Sequence, residues 1–89
     1  MSQQIKKLET KMAKVDIDVL LEDLSKCTGT KLTYMRKYFN KMMKFMQTQT
    51  DSEIEQYTYA FYYTFGYYAS LDDVEQRKIY KKFLKYKCC

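Results

Sequence analysis

The chain has 89 residues, of which 46% are hydrophobic and 17% aromatic, carries a formal net charge of +5, and contains no histidine, proline or tryptophan. The missing histidine removes the commonest zinc ligand and general base. No run approaches the ~18 apolar residues of a membrane span, and three cysteines, two of them adjacent at the end, make no disulfide framework.

Residues 2–15 place Ile5, Leu8, Met12 and Val15 on one helical stripe, with Lys6, Lys7, Lys11 and Lys14 on the other faces. Residues 16–27 form an acidic second helix with Asp16 or Asp18 as N-cap and Val19, Leu20, Leu21 and Leu24 facing inward. Val19 continues the preceding stripe, so the two helices can run together. Thr28-Gly29-Thr30 is the clearest break: Gly29 can take the left-handed conformation that ends a helix, and Thr30 can cap the next.

Residues 31–47 predict a third helix with Leu32, Met35, Phe39, Met42 and Met46 inward and Arg36, Lys37, Asn40, Lys41 and Lys44 outward. A polar linker, Gln47 to Asp51, leads into two competing capping boxes, Thr50 with Glu53 and Ser52 with Glu55. The segment from Tyr57 to Tyr68 alternates as a strand would, yet Ile54, Tyr57, Phe61, Phe65 and Tyr68 also form a helical stripe. Helix is the better reading: capping boxes precede the segment, and a lone strand would leave its backbone groups unpaired. Ser70-Leu71-Asp72-Asp73 predicts a cap for a last helix reaching about Tyr86, with Val74, Ile79, Tyr80, Phe83 and Leu84 buried. Its acids lie at the start and Lys81, Lys82, Lys85 and Lys87 at the end, as the helix dipole favours.

The expected fold is therefore all-α, a bundle of four or five short helices in one small domain, 1–89. A domain of this size buries only about 60–65% of its unfolded surface. Charge alternates between basic and acidic along successive segments, which lets antiparallel neighbours attract weakly. With no apolar leader, the chain is expected to be intracellular, in a reducing compartment.

Three features bear on function. The first is the aromatic helix: opposite the Ile54–Phe65 stripe lie Tyr59, Tyr63 and Tyr67, with Tyr62 beside them. A helix apolar all round is either central in its bundle or sandwiched between its own fold and a partner. Tyrosine suits an interface because its large rigid ring carries a hydroxyl that tolerates water.

The second is Leu21-x-x-Leu24-Ser25-x-x-x-Gly29 followed by Tyr34-Met35-Arg36-Lys37-x-Phe39. It resembles one helix-turn-helix unit of AraC-type transcription regulators. That resemblance implies a recognition helix over 31–46, with Lys31, Thr33, Arg36, Lys37, Asn40 and Lys41 meeting the major groove and its phosphates. The third is Cys88-Cys89, which resembles the double-cysteine end that Rab-type GTPases use for geranylgeranylation, although no Gly-rich phosphate loop accompanies it. Met42, Met43 and Met46 suit either an adaptable groove or core filling.

The expectation is a non-enzymatic helical interaction protein, an accessory or assembly subunit of a larger intracellular complex, docking through the aromatic helix. No cofactor or metal is expected, and the partner is another protein. The alternative is a helix-turn-helix DNA-binding protein.

Overall fold

The computed structural model describes residues 16–87. The helix expected over 2–15 and Cys88 and Cys89 lie outside the described residues. Among the described residues there are four helices and no strand: α1 (16–28), α2 (Leu32–Gln47), α3 (Glu53–Tyr68) and α4 (Val74–Lys87). The chain is all-α, and the aromatic segment is helical.

In α1 the buried residues are Ile17, Leu20, Leu21 and Leu24, at three- and four-residue spacing. Val19, expected inward, is exposed. At 3.6 residues per turn it sits about 150° from the centre of the arc that Ile17, Leu20, Leu21 and Leu24 bury, and Ile17 takes the inward place. Asp16 and Asp18 lie within the helix, so neither caps it. Gly29 ends α1 with φ +74°, and its N–H donates to the Ser25 carbonyl at 3.0 Å. The Gly29 bond satisfies one of the last-turn carbonyls that the helix leaves open, and the Thr28 hydroxyl adds a donation to the Leu24 carbonyl at 2.9 Å. Thr30 does not cap α2: Lys31 holds that position, and the Thr30 carbonyl accepts from the Ser25 hydroxyl at 2.6 Å.

Helix α2 buries Met35, Phe39 and Met46 against α3 and its neighbours, with Leu32, Met42 and Met43 half-buried. The turn to α3 settles which capping box forms. Ser52 Oγ accepts from the Glu55 N–H at 3.4 Å, making Ser52 the N-cap. Thr50 instead braces the turn, accepting from the Ser52 N–H at 3.2 Å and donating to the Glu55 carboxylate at 2.8 Å.

Phe61, fully buried, is the hub of the core. Its ring lies 4.7 Å from Phe83 of α4, while Phe65 lies 4.9 Å from Tyr80 and Phe39 of α2 stacks toward Tyr57 at 6.4 Å. The buried arc of α3 is wider than its aromatic stripe, because Gln56, Thr58, Ala60 and Thr64 are also buried. Their polar groups are paired locally. Thr64 donates to the Ala60 carbonyl at 2.7 Å, Thr58 to the Glu55 carbonyl at 3.1 Å, and the Gln56 amide to the Thr50 carbonyl at 2.8 Å. Left unpaired, each would cost about 1–3 kcal/mol.

Helix α4 buries Ile79 and Phe83, with Tyr80 and Leu84 half-buried. It starts later than expected, at Val74, with Asp73 accepting from the Gln76 N–H at 3.0 Å. Ser70 shapes the preceding turn, its hydroxyl accepting from the Asp72 N–H at 3.1 Å and its own N–H donating to Gln76 Oε1 at 2.7 Å. Val74, expected inside, is consequently an exposed first-turn residue.

Candidate functional site

Because Phe61, Phe65, Ala60 and Thr64 turn one side of α3 inward, residues 59, 62, 63, 66 and 67 face solvent. Tyr59, Tyr62, Tyr63 and Tyr67 keep 41%, 40%, 41% and 66% of their surface exposed. Tyr62 and Tyr63 meet edge to face at 5.8 Å, and Tyr67 stacks on Tyr38 of α2 at 4.6 Å. Between these pairs sits Gly66, with no side chain of its own. Together with Leu71 and Tyr80 they line a groove of about 460 Å³ that runs over the end of α3 toward the α3–α4 turn. Leu71 is exposed and extends the apolar patch beyond the helix.

Gly66 is not required by the fold. It has no positive φ, and a Cβ built there meets nothing within 4 Å. A glycine in a helix interior costs about 0.5–1 kcal/mol relative to alanine, and one in the last turn, as here, costs less. The bare backbone at the groove floor therefore lowers stability without relieving any clash.

Lys31, the N-cap of α2, and Thr33, Arg36, Lys37, Asn40 and Lys41 on the helix are all exposed, and all but Lys31 line two adjoining depressions that share Lys37 and Asn40. Thr33, Arg36, Lys37 and Asn40 line a shallow depression with Leu32. Arg36 pairs there with Glu22 of α1 at 3.6 Å, a solvent-exposed contact of little energetic weight. Lys37 and Asn40 also line, with Lys41, Tyr34, Tyr38 and Lys44 of α2, Thr30, and Tyr67 and Tyr68 of α3, a groove of about 750 Å³.

Tyr34, Tyr38, Gly66 and Leu71 were not singled out from the sequence as site residues. A signal for the first two exists: Tyr34, Tyr38, Lys41 and Phe45 recur at four, three and four residues, a second stripe on α2 beside its core stripe. Met42 and Met43 pack against the core cluster and Met46 is buried. Cys27 is an exposed free thiol. Among the described residues no cluster of histidine, cysteine, aspartate or glutamate is placed to hold a metal, and no helix is long and apolar enough to cross a membrane. Comparison with known proteins finds no matching family model, no matching curated protein and no matching solved structure.

Proposed function

We propose that the chain is a non-enzymatic interaction protein, an accessory or assembly subunit of a larger complex, that docks a protein partner on the tyrosine face of α3. The observation that carries this reading is Gly66. An exposed glycine in the last turn of α3 stands in a groove walled by Tyr62, Tyr63 and Tyr67, at a position where a Cβ would meet open space. A partner crossing α3 there can approach its backbone closely, with Tyr62 and Tyr63 supplying contact area in the groove and Tyr59, exposed one turn before Tyr63 and outside the groove lining, extending it. Tyrosine ordered in this way contributes apolar contact at low entropic cost and keeps its hydroxyl for the rim. Exposed apolar patches with polar borders are the usual mark of such sites.

The test is capture of a partner by the intact chain from nuclease-treated native extract. Tyr62→Ser combined with Tyr63→Ser is expected to abolish retention while leaving the helical circular dichroism unchanged. A partner retained equally by this variant removes the reading.

The alternative, a helix-turn-helix DNA-binding protein with recognition helix 31–46, has in its favour the outward placement of six polar and basic residues after the Gly29 turn. In such units the first helix crosses the phosphate backbone. Here α1 carries four acids against one lysine and sets Glu22 beside Arg36, which opposes that contact. Duplex binding that does not weaken with salt would exclude this alternative.

A further inference from the structure

Helix α2 carries Tyr34, Lys37, Tyr38, Lys41 and Lys44 at three- and four-residue spacing, so rings and ammonium groups share one side of the helix. At 1.5 Å rise per residue the three lysines extend over about 10 Å. No aspartate or glutamate occurs anywhere between residues 30 and 50, and the groove of about 750 Å³ that these residues line contains no acid. Its opposite wall is Tyr67 and Tyr68 of α3.

The rings hold one another in place. Tyr38 stacks on Tyr67 at 4.6 Å and 20°, meets Tyr68 edge-on at 5.8 Å and 83°, and Tyr67 meets Tyr68 at 4.7 Å and 78°. The Tyr68 hydroxyl reaches the Tyr34 carbonyl at 3.5 Å, tying α3 to α2 at the floor. Around this fixed cluster Tyr34 and Tyr67 remain 59% and 66% exposed. Flat π-faces beside a row of cations, with no anion among them, match a chain whose every unit offers a ring and a phosphate.

We propose that the α2–α3 groove binds single-stranded nucleic acid, with bases stacking on Tyr34 and Tyr67 and phosphates meeting Lys37, Lys41 and Lys44. An acidic polypeptide would use the lysines and leave the rings without a stacking partner. A duplex would present its phosphates and keep its base faces within its own stack. Single strands expose both, and base–aromatic stacking beside a basic groove is how sequence-tolerant single-strand binders work. This site is separate from the protein-docking groove over Gly66 and shares with it only the Tyr38–Tyr67 pair.

The experiment is fluorescence anisotropy of labelled oligothymidylate and oligoadenylate with the full chain over a salt series, with the matching duplex and poly-glutamate as competitors. Binding of the single strands is expected, with a log K against log salt slope of about −2, three phosphate contacts at about −0.7 each. Lys41→Gln is expected to reduce that slope by about 0.7. Tyr34→Ala is expected to lower affinity about tenfold at unchanged slope, whereas Tyr34→Phe, which keeps the ring, retains it. The Tyr62→Ser, Tyr63→Ser variant is expected to bind single strands as the parent does, which separates this site from the protein-docking face. Three results each overturn the proposal: no single-strand binding at low salt, competition by duplex or poly-glutamate as strong as by the single strand, or full affinity in a folded Tyr34→Ala.

Discussion

Replacing Gly66 with alanine is expected to raise the stability of the chain and at the same time weaken its docking of a partner. The first half follows from three observations: position 66 is helical, exposed, and open to a Cβ with no atom within 4 Å. Alanine then adds no contact and relieves no strain, so the gain is the helix propensity difference alone, at most about 1 kcal/mol and less than at an interior position, because residue 66 is in the last turn of α3. For a domain of 60–100 residues a full 1 kcal/mol corresponds to about 4–8 °C in Tm, so the expected rise is a few degrees at most. Thermal melts followed by helical circular dichroism, with urea titrations to check that the m-value is unchanged, measure it directly. A midpoint that stays level or falls would refute the reasoning, because it would mean that a Cβ at 66 meets a neighbour or that α3 does not run through this residue. The second half is read on the captured partner: Gly66→Ala reduces retention and the bulkier Gly66→Leu abolishes it. A variant that is both more stable and fully competent to dock would leave the glycine unexplained and remove the groove floor from the contact.

The same substitution at the other glycine is expected to act in the opposite direction. Gly29→Ala forces a Cβ into a backbone with φ +74° and should lower stability by about 1–2 kcal/mol, seen as an earlier urea midpoint. At the start of α3, Ser52→Ala removes the cap of the Glu55 N–H and should cost about 1 kcal/mol by urea titration.

Helices α1, α2 and α4 were legible from the three- and four-residue spacing of their apolar residues, a local property. Helix α3 also alternates as a strand would, and is legible as helix from the capping boxes before it and the unpaired backbone a lone strand would leave. Leu32 and Met42, expected inward, are half-buried, but the inward place of Met35, Phe39 and Met46 on α2 and of Phe61 and Phe65 on α3 followed from three- and four-residue spacing. So did the outward arrangement of the tyrosines on α3: once one side of a helix is buried, positions about half a turn away must face out. Details that depend on competing hydrogen bonds were not legible. Both Thr50 and Ser52 could cap α3 by pattern, and the choice came from where the α2–α3 turn carries the chain, leaving Thr50 to brace Glu55. Ser70-x-x-Asp73 matched a capping box, yet Gln76 draws Ser70 into the turn and Asp73 takes the cap, which leaves Val74 outside.

The sequence by itself determined an all-α chain with an aromatic helix, a basic α2 and a glycine break at 29, since periodicity, charge and backbone freedom are carried residue by residue. Tertiary structure alone decided which surfaces exist between helices. It drew Tyr38 against Tyr67 and Tyr68, set the Tyr34, Lys41 and Lys44 side of α2 beside α3, and left Gly66 bare at the foot of a tyrosine groove. Those arrangements join residues some thirty positions apart. They arise from how α2 packs on α3, and no local pattern in either helix specifies that pairing.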